Sequence, residues 1–397
     1  MSVGETPELV TDKLILNIGP SHPITHGTLR IQVQLDGETI ERAGCEIGYL
    51  HRGFEKHAEN CFYQQVIPFA ERLNYMGPVH NSNAWCYAVE QLLGIEAPPR
   101  AQAIRVITSE LARIIDHAVC LGTNLVDLGA LTNFWYLYGY REKINELFEE
   151  LCGARMMVNY PRIGGVMADL PEGWLEKVKS VMTGMDIVIS EVKGLVAKNR
   201  IFVDRTRDVG VITKEQAISW GVTGPSLRAS GLDYDLRKKN PYWGYEQYDF
   251  EVPVYENGDT NDRMMIRFDE MEQSRRIILQ AIEKMPSGPF VSDDTRITLP
   301  EKDKVYNTME GLISHFKLIM HGIPVEAGEI YSATEGGNGE LGFYIVSDGS
   351  PNAYRVRVRP PCFANYSVFP HIIIGSQVAD LAAALGSINI IAGELDR

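Results

Sequence analysis

Along the first fifty residues the chain alternates. Leu29, Ile31, Val33 and Leu35 are apolar, and Thr28, Arg30, Gln32 and Gln34 between them are polar. That period of two belongs to a strand with one buried face. Asp36-Gly37 follows as a favoured two-residue turn, so the spacing predicts a small antiparallel sheet over about 13–50.

The period then becomes helical. After Pro98-Pro99, a usual helix start, Ile104, Ile107, Leu111, Ile114, Ile115 and Ala118 fall on one stripe, with Arg105 and Arg113 off it. A second stripe, Leu175, Val178, Val181, Met182, Met185 and Val188, follows Pro171-Glu172-Gly173, and a third runs from Met264 to Ile282. Stripes of this spacing are the core faces of packed helices. They predict a helical bundle over about 54–320, interrupted at about 221–261 by a Gly-, Pro- and aromatic-rich insert read as loop. Its Tyr242-Trp243-Gly244-Tyr245 run either packs on its own helices or lines a partner interface, packing being the simpler reading. Near the end, Leu341–Val346 and Ala353–Val358, separated by Ser347-Asp348-Gly349-Ser350-Pro351, read as a hairpin, and a last helix is expected from about His371. No repeat or low-complexity linker divides the chain. We therefore expect one α+β unit: an N-terminal β region, a bundle, and a β/helix region over about 325–397.

Composition narrows the function. With 45% hydrophobic and 23% charged residues over 397 positions, the chain can bury a large core. A formal charge of −14 and a sequence pI of about 5.2 oppose a surface that tracks phosphates or anionic lipid, so no nucleic-acid partner is expected. Met1 to Val10 carries Glu5 and Glu8 and no apolar run, so no leader is expected to move the chain from where it is made. The most apolar stretch, Val378 to Ala392, is broken by Asp380, Gly386, Ser387 and Asn389 and falls short of the roughly 18–20 apolar residues a span needs. Any membrane role is therefore expected to be indirect. Cys45, Cys61, Cys86, Cys120, Cys152 and Cys362 form no Cys-x-x-Cys pair, which predicts neither a disulfide framework nor a metal held by this chain.

Three constellations could carry chemistry. Gly19-Pro20-Ser21-His22-Pro23-Ile24-Thr25-His26-Gly27 holds two histidines, the side chain best suited to exchange protons near neutral pH, in a Gly/Pro-shaped turn. Arg52-Gly53-Phe54-Glu55 and Glu71-Arg72-Leu73-Asn74-Tyr75-Met76-Gly77 set arginines beside acids, and Asp127 lies in the apolar run Leu125-Val126-Asp127-Leu128-Gly129-Ala130. Taken singly, each has a plain reading: surface histidines, structural ion pairs, a carboxylate capping a turn.

Together they resemble the quinone-site subunit, of the 49-kDa type, of respiratory complex I, the NADH:quinone oxidoreductase. The resemblance runs from about Leu14 to the last residue. It includes Ile47-Gly48-Tyr49-Leu50-His51-Arg52-Gly53-Phe54-Glu55-Lys56, Arg162-Ile163-Gly164-Gly165-Val166, Leu227-Arg228-Ala229-Ser230-Gly231, Glu340 to Gly349, and Gly393-Glu394-Leu395-Asp396-Arg397. That family is similar in turn to the nickel-iron hydrogenase large subunit, but Asn74 and Gly77 stand where its first two metal thiolates would be, and the second Cys pair is missing near Ile391 and Glu394. Without soft thiolate ligands no nickel-iron site forms.

The resemblance implies a hydrogenase-large-subunit-like fold and a translocase subunit that is inactive alone. Quinone would lie between this chain and a small partner subunit holding a four-iron four-sulfur cluster, with NADH and FMN on other subunits. His26 and Tyr75 would bond the two headgroup carbonyls, and Asp127 would interact with His26. Arg52 and Arg72 would approach the partner's cluster. Neighbouring peripheral-arm subunits, and membrane-arm subunits at the quinone tunnel, are further implied partners, with a place on the cytoplasmic face of a bacterial inner membrane. Two departures stand out: Met157 follows Gly153-Ala154-Arg155-Met156 where many members carry a histidine, and Asn389 replaces a frequent acid.

Overall fold

The computed structural model describes residues 13–397; the N-terminal segment searched for targeting signals lies outside them. The first sheet is antiparallel, with strands Leu14–Ile18, Arg30–Asp36 and Thr39–Glu46 in that order. Ile31, Val33 and Leu35 face inward as the alternation predicts. The turn lies one residue later than expected. Asp36 and Thr39 oppose each other across Gly37-Glu38, and Gly37 takes the left-handed φ of 60° that a residue without Cβ adopts at little cost. The buried face of this sheet packs on C-terminal residues Tyr366, Phe369, Leu381, Leu385 and Ile388.

Five long helices form the centre: Pro78–Leu93, Pro99–Asp127, Leu131–Cys152, Trp174–Ala197 and Thr260–Glu283. All three predicted stripes belong to this set, and the Ile104–Ala118 stripe is buried throughout. Arg105 and Arg113, off the stripe, are fully buried as well. Neighbours surround that helix, so its polar side is satisfied by buried carboxylates and carbonyls instead of water. The 221–261 insert, expected as loop, is mostly irregular but holds two short α-helices, Pro225–Ala229 and Leu236–Lys239, and its last two residues begin the Thr260–Glu283 helix. Tyr242, Trp243 and Tyr245 are buried, with the Tyr242 ring 4.8 Å from that of Trp243 and 5.1 Å from that of Tyr245.

The C-terminal hairpin is part of a three-stranded antiparallel sheet, Gly328–Gly336, Gly339–Ser347 and Arg355–Arg359. The helix expected from His371 is a single turn, Phe369–Ile372; Gly375, at φ 85°, stops it, and the longer helix spans Val378–Ile388. The architecture is α+β. Among the described residues no helix is long and apolar enough to cross a membrane.

Candidate functional site

His26 ends a short 3-10 turn, Pro23–Thr25, that rests on the Val378–Ile388 helix. The buried Thr25 hydroxyl ties the turn together through the carbonyls of His22, at 2.7 Å, and Gly27, at 2.8 Å. His26 itself adopts a left-handed φ of 50°, and its imidazole Nε2 makes a short hydrogen bond to Asp127 Oδ2, 101 residues away in sequence. Asp127 is the last residue of the Pro99–Asp127 helix. It is therefore no N-cap; the next helix, Leu131–Cys152, has Ala130 in that position and no side-chain cap. A carboxylate at a helix C-terminus is opposed by the backbone dipole, and a histidine that can carry positive charge is a fitting partner there.

Tyr75 comes from a tight turn after the short Ile67–Glu71 helix. The Asn74 side-chain oxygen accepts from the backbone N–H groups of Met76 and Gly77, each at 3.0 Å, which sets the course of the chain around Tyr75. Burial raises the Tyr75 hydroxyl above its ordinary pKa of 10, so it keeps its proton and remains a donor.

His26, Tyr75 and Asp127 line one cavity of about 310 Å³. Its remaining walls are mostly apolar, from Val119, Val126, Ile390, Ile391 and the stacked rings of Phe134 and Tyr138, whose centroids are 3.8 Å apart. Nothing singled out Phe134 and Tyr138 in advance; their i, i+4 spacing in an aromatic-rich helix start was the available signal. A larger cavity, about 520 Å³, lies between Ile67, Val166, Phe290 and Ile319. It offers no histidine, tyrosine or carboxylate, whereas the smaller one has all three.

Arg52 and Arg72 lie outside this cavity, side by side and exposed. Arg52 Nη2 donates to the Arg72 carbonyl at 2.7 Å, and Arg72 donates to the Pro68 carbonyl. The plain reading as local ion pairs fails. Glu55 pairs with Arg357 at 3.3 Å and Arg397 at 3.5 Å, and Glu71 accepts the Asn159 N–H at 2.7 Å.

Behind the cavity lies a buried polar layer that local patterns did not reveal. Asn389 lines the cavity and donates to Asp116 at 2.8 Å and Asn338 at 2.7 Å. Arg267 reaches Asn338 at 3.5 Å and donates to His117 Nδ1 at 3.2 Å. Because arginine can only donate, His117 carries its proton on Nε2, which bonds Glu270 at 2.8 Å. Arg228 then bridges Glu270 at 2.5 Å and Glu335 at 2.8 Å. Among the described residues no group of three His, Cys, Asp or Glu is placed to hold a metal ion.

A family model described as "Respiratory-chain NADH dehydrogenase, 49 Kd subunit" matches residues 127–397. The chain is 53% identical over 395 residues to the C/D subunit of NADH-quinone oxidoreductase from Bdellovibrio bacteriovorus, covering 99% of this chain and 70% of the relative. It is 49% identical over 389 residues to the D subunit of the Myxococcus xanthus oxidoreductase, with 98% and 94% covered, and 47% identical over 387 residues to the D subunit from Geobacter sulfurreducens, with 98% and 99% covered.

Proposed function

The chain belongs to the 49-kDa subunit family of respiratory-chain NADH dehydrogenase, and from that premise we propose that its 310 Å³ cavity receives the headgroup of a quinone. The subunit serves an NADH-quinone oxidoreductase, and the cavity is where this chain takes part in the reaction. One observation carries the reading: His26, Tyr75 and Asp127, from three distant segments, meet on a single cavity with otherwise mostly apolar walls. A quinone ring is flat and apolar with an oxygen at each end, and such a pocket suits it.

Reduction of a quinone to a quinol consumes two electrons and two protons. Negative charge develops on both oxygens, so each needs a donor already in place. Tyr75, protonated in its buried setting, donates to one oxygen. His26 donates to the other, while Asp127 orients the ring and offsets its charge when both nitrogens hold protons. Electrons come from an iron-sulfur cluster on a small partner subunit. Arg52 and Arg72, two exposed cations side by side on neighbouring segments, face that partner, where positive charge favours the reduced state. Other peripheral-arm and membrane-arm subunits complete the site, on the cytoplasmic face of a bacterial membrane.

The test substitutes Tyr75→Phe and His26→Ala in the assembled complex, with NADH oxidation by an artificial acceptor upstream of the quinone as control. Each is expected to lower quinone reduction by at least about a hundredfold, the scale of a lost general acid. Unchanged quinone reduction in both would leave the chain a scaffold.

A further inference from the structure

Glu394 has no part in the chemistry above, yet it sits directly behind it. It lies in the Ala392–Asp396 turn of helix, 2% exposed, and its Oε2 has no hydrogen-bond partner. Gly393 before it is pressed on the turn that carries Tyr75: a Cβ there would come within 2.6 Å of the Arg72 carbonyl oxygen and 2.5 Å of that of Leu73. Ala392, Cys362 and Glu394 are among the groups close enough to act on the Tyr75 hydroxyl. The neighbours of Glu394 come from three other elements. Cys362, Asn74 and Asp116 of the central helix are all close enough to act on its carboxyl.

Asp116 and Glu394 differ in one respect. Asp116 meets side-chain amides of Asn74, Asn338 and Asn389 at 3.4, 3.5 and 2.8 Å. Glu394 keeps an idle oxygen in a dry interior, which is costly for a carboxylate and tolerable for a neutral carboxyl.

We propose that Glu394 is the proton store behind Tyr75, a neutral carboxyl beneath the cavity wall that restores the tyrosine hydroxyl after each quinone reduction. This rests on the quinone-site reading. In balance, two electrons from NADH enter the quinone. The Tyr75 O–H breaks as one quinol O–H forms; an N–H of the His26 imidazolium breaks as the other forms, and the neutral imidazole is reprotonated from solvent. The Glu394 O–H then breaks as the Tyr75 O–H re-forms, and after quinol leaves the carboxylate regains its proton from solvent that enters the emptied cavity. Glu394 acts through Tyr75 and is a positioning residue for the proton, not a catalytic one. Burial and the Asp116 charge push its pKa up to about 7 against the opposing influence of the nearby Cys362 and Asn74, so a proton is available at neutral pH. Cys362, itself raised well above the usual thiol value by burial and Glu394, stays neutral.

The experiment uses the assembled complex with Glu394→Gln and Glu394→Asp. Wild-type kcat for quinone reduction is expected to fall above about pH 7. E394Q is expected to lower kcat by about tenfold or more, to change KM less than about twofold, and to lose that break; E394D is expected to restore part of the rate with a shifted break. Infrared difference spectra on NADH-driven reduction are expected to show loss of a protonated-carboxyl band in wild type, absent in E394Q and displaced in E394D. Should E394Q fail to assemble, the wild-type and E394D spectra make the same comparison. An E394Q complex with wild-type kcat and pH profile, or a wild-type spectrum without the band, overturns the proposal. Tyr75→Phe separates the two readings: if it abolishes quinone reduction while E394Q changes nothing, the proton store alone fails, and if it too changes nothing, the quinone site fails.

Discussion

Glu71 and Glu110 are both buried carboxyls, and their surroundings send them in opposite directions. Burial alone would raise Glu110, but Arg113 and Arg237, helped by the Tyr245 hydroxyl, hold it well below the usual carboxylate range. Around Glu71 burial wins over the Asn159 N–H, Ser82 and the more distant Arg72 and Arg162, and its pKa rises to about 7 from 4.5. A raised carboxyl binds its proton more tightly in the folded state. Its contribution to stability is thus fully present below about 4.5 and lost as the pH climbs through about 7. Glu71→Gln keeps an oxygen for the Asn159 N–H and has nothing to ionise. Thermal unfolding of the full chain at pH 5 and pH 8 is expected to show the variant gaining on wild type by up to about 3 kcal/mol across that interval. An equal pH dependence in both would mean that Glu71 ionises freely in the folded protein. Glu394 titrates over the same range, so some pH dependence remains in the variant.

At the scale of an element, the Pro99–Asp127 helix shows what a stripe can and cannot say. The stripe located the helix, but a helix wheel treats everything off the stripe as solvated, and that holds only where one side meets water. Here Arg105 is 0% exposed. It forks onto Glu90 at 2.8 and 2.5 Å and reaches the carbonyls of Arg162 and Gly165, while Glu90 also accepts the Gly164 N–H at 2.7 Å. The pair ties two helices to the Pro161–Val166 turn. Glu90→Ala leaves a buried guanidinium unpaired, which is expected to cost about 3–5 kcal/mol in denaturant unfolding, and Glu90→Gln less. A loss below about 1 kcal/mol would mean that water reaches Arg105. The strand Gly328–Gly336 escaped notice for a related reason: its first half is mostly exposed and its last three residues are all buried, so no alternation survives. The site was legible only through the order of motifs along the whole chain. No local pattern announces that His26 meets Asp127, because the contact joins a turn to a helix end that only the finished fold brings together.

On the scale of the whole molecule, the cavity is a junction. The His26 turn, the Tyr75 turn, the end of the central helix and the segment Asn389–Ile391 each supply one side, and the C-terminal residues bind them. Asp396 accepts the backbone N–H groups of Gly48 and Leu50 at 2.8 and 2.6 Å, and its own carbonyl meets His51 Nδ1 at 2.7 Å. Arg52 follows at once and grips the Arg72 carbonyl at 2.7 Å, three residues before Tyr75. A path of hydrogen bonds therefore runs from the last helical turn, through the 48–52 loop, to the turn that presents the candidate donor. Asp396→Ala strands two N–H groups and is expected to lower stability by about 1–3 kcal/mol. If the path also holds Tyr75 in register, the same substitution raises KM for quinone or lowers kcat in the assembled complex although Asp396 lines no wall of the cavity. Asp396→Asn, which keeps one accepting oxygen, is expected to fall between. Reduced thermal stability with unchanged quinone kinetics would make the C-terminal turn a strut for the fold alone, with Tyr75 positioned by Asn74 without its help.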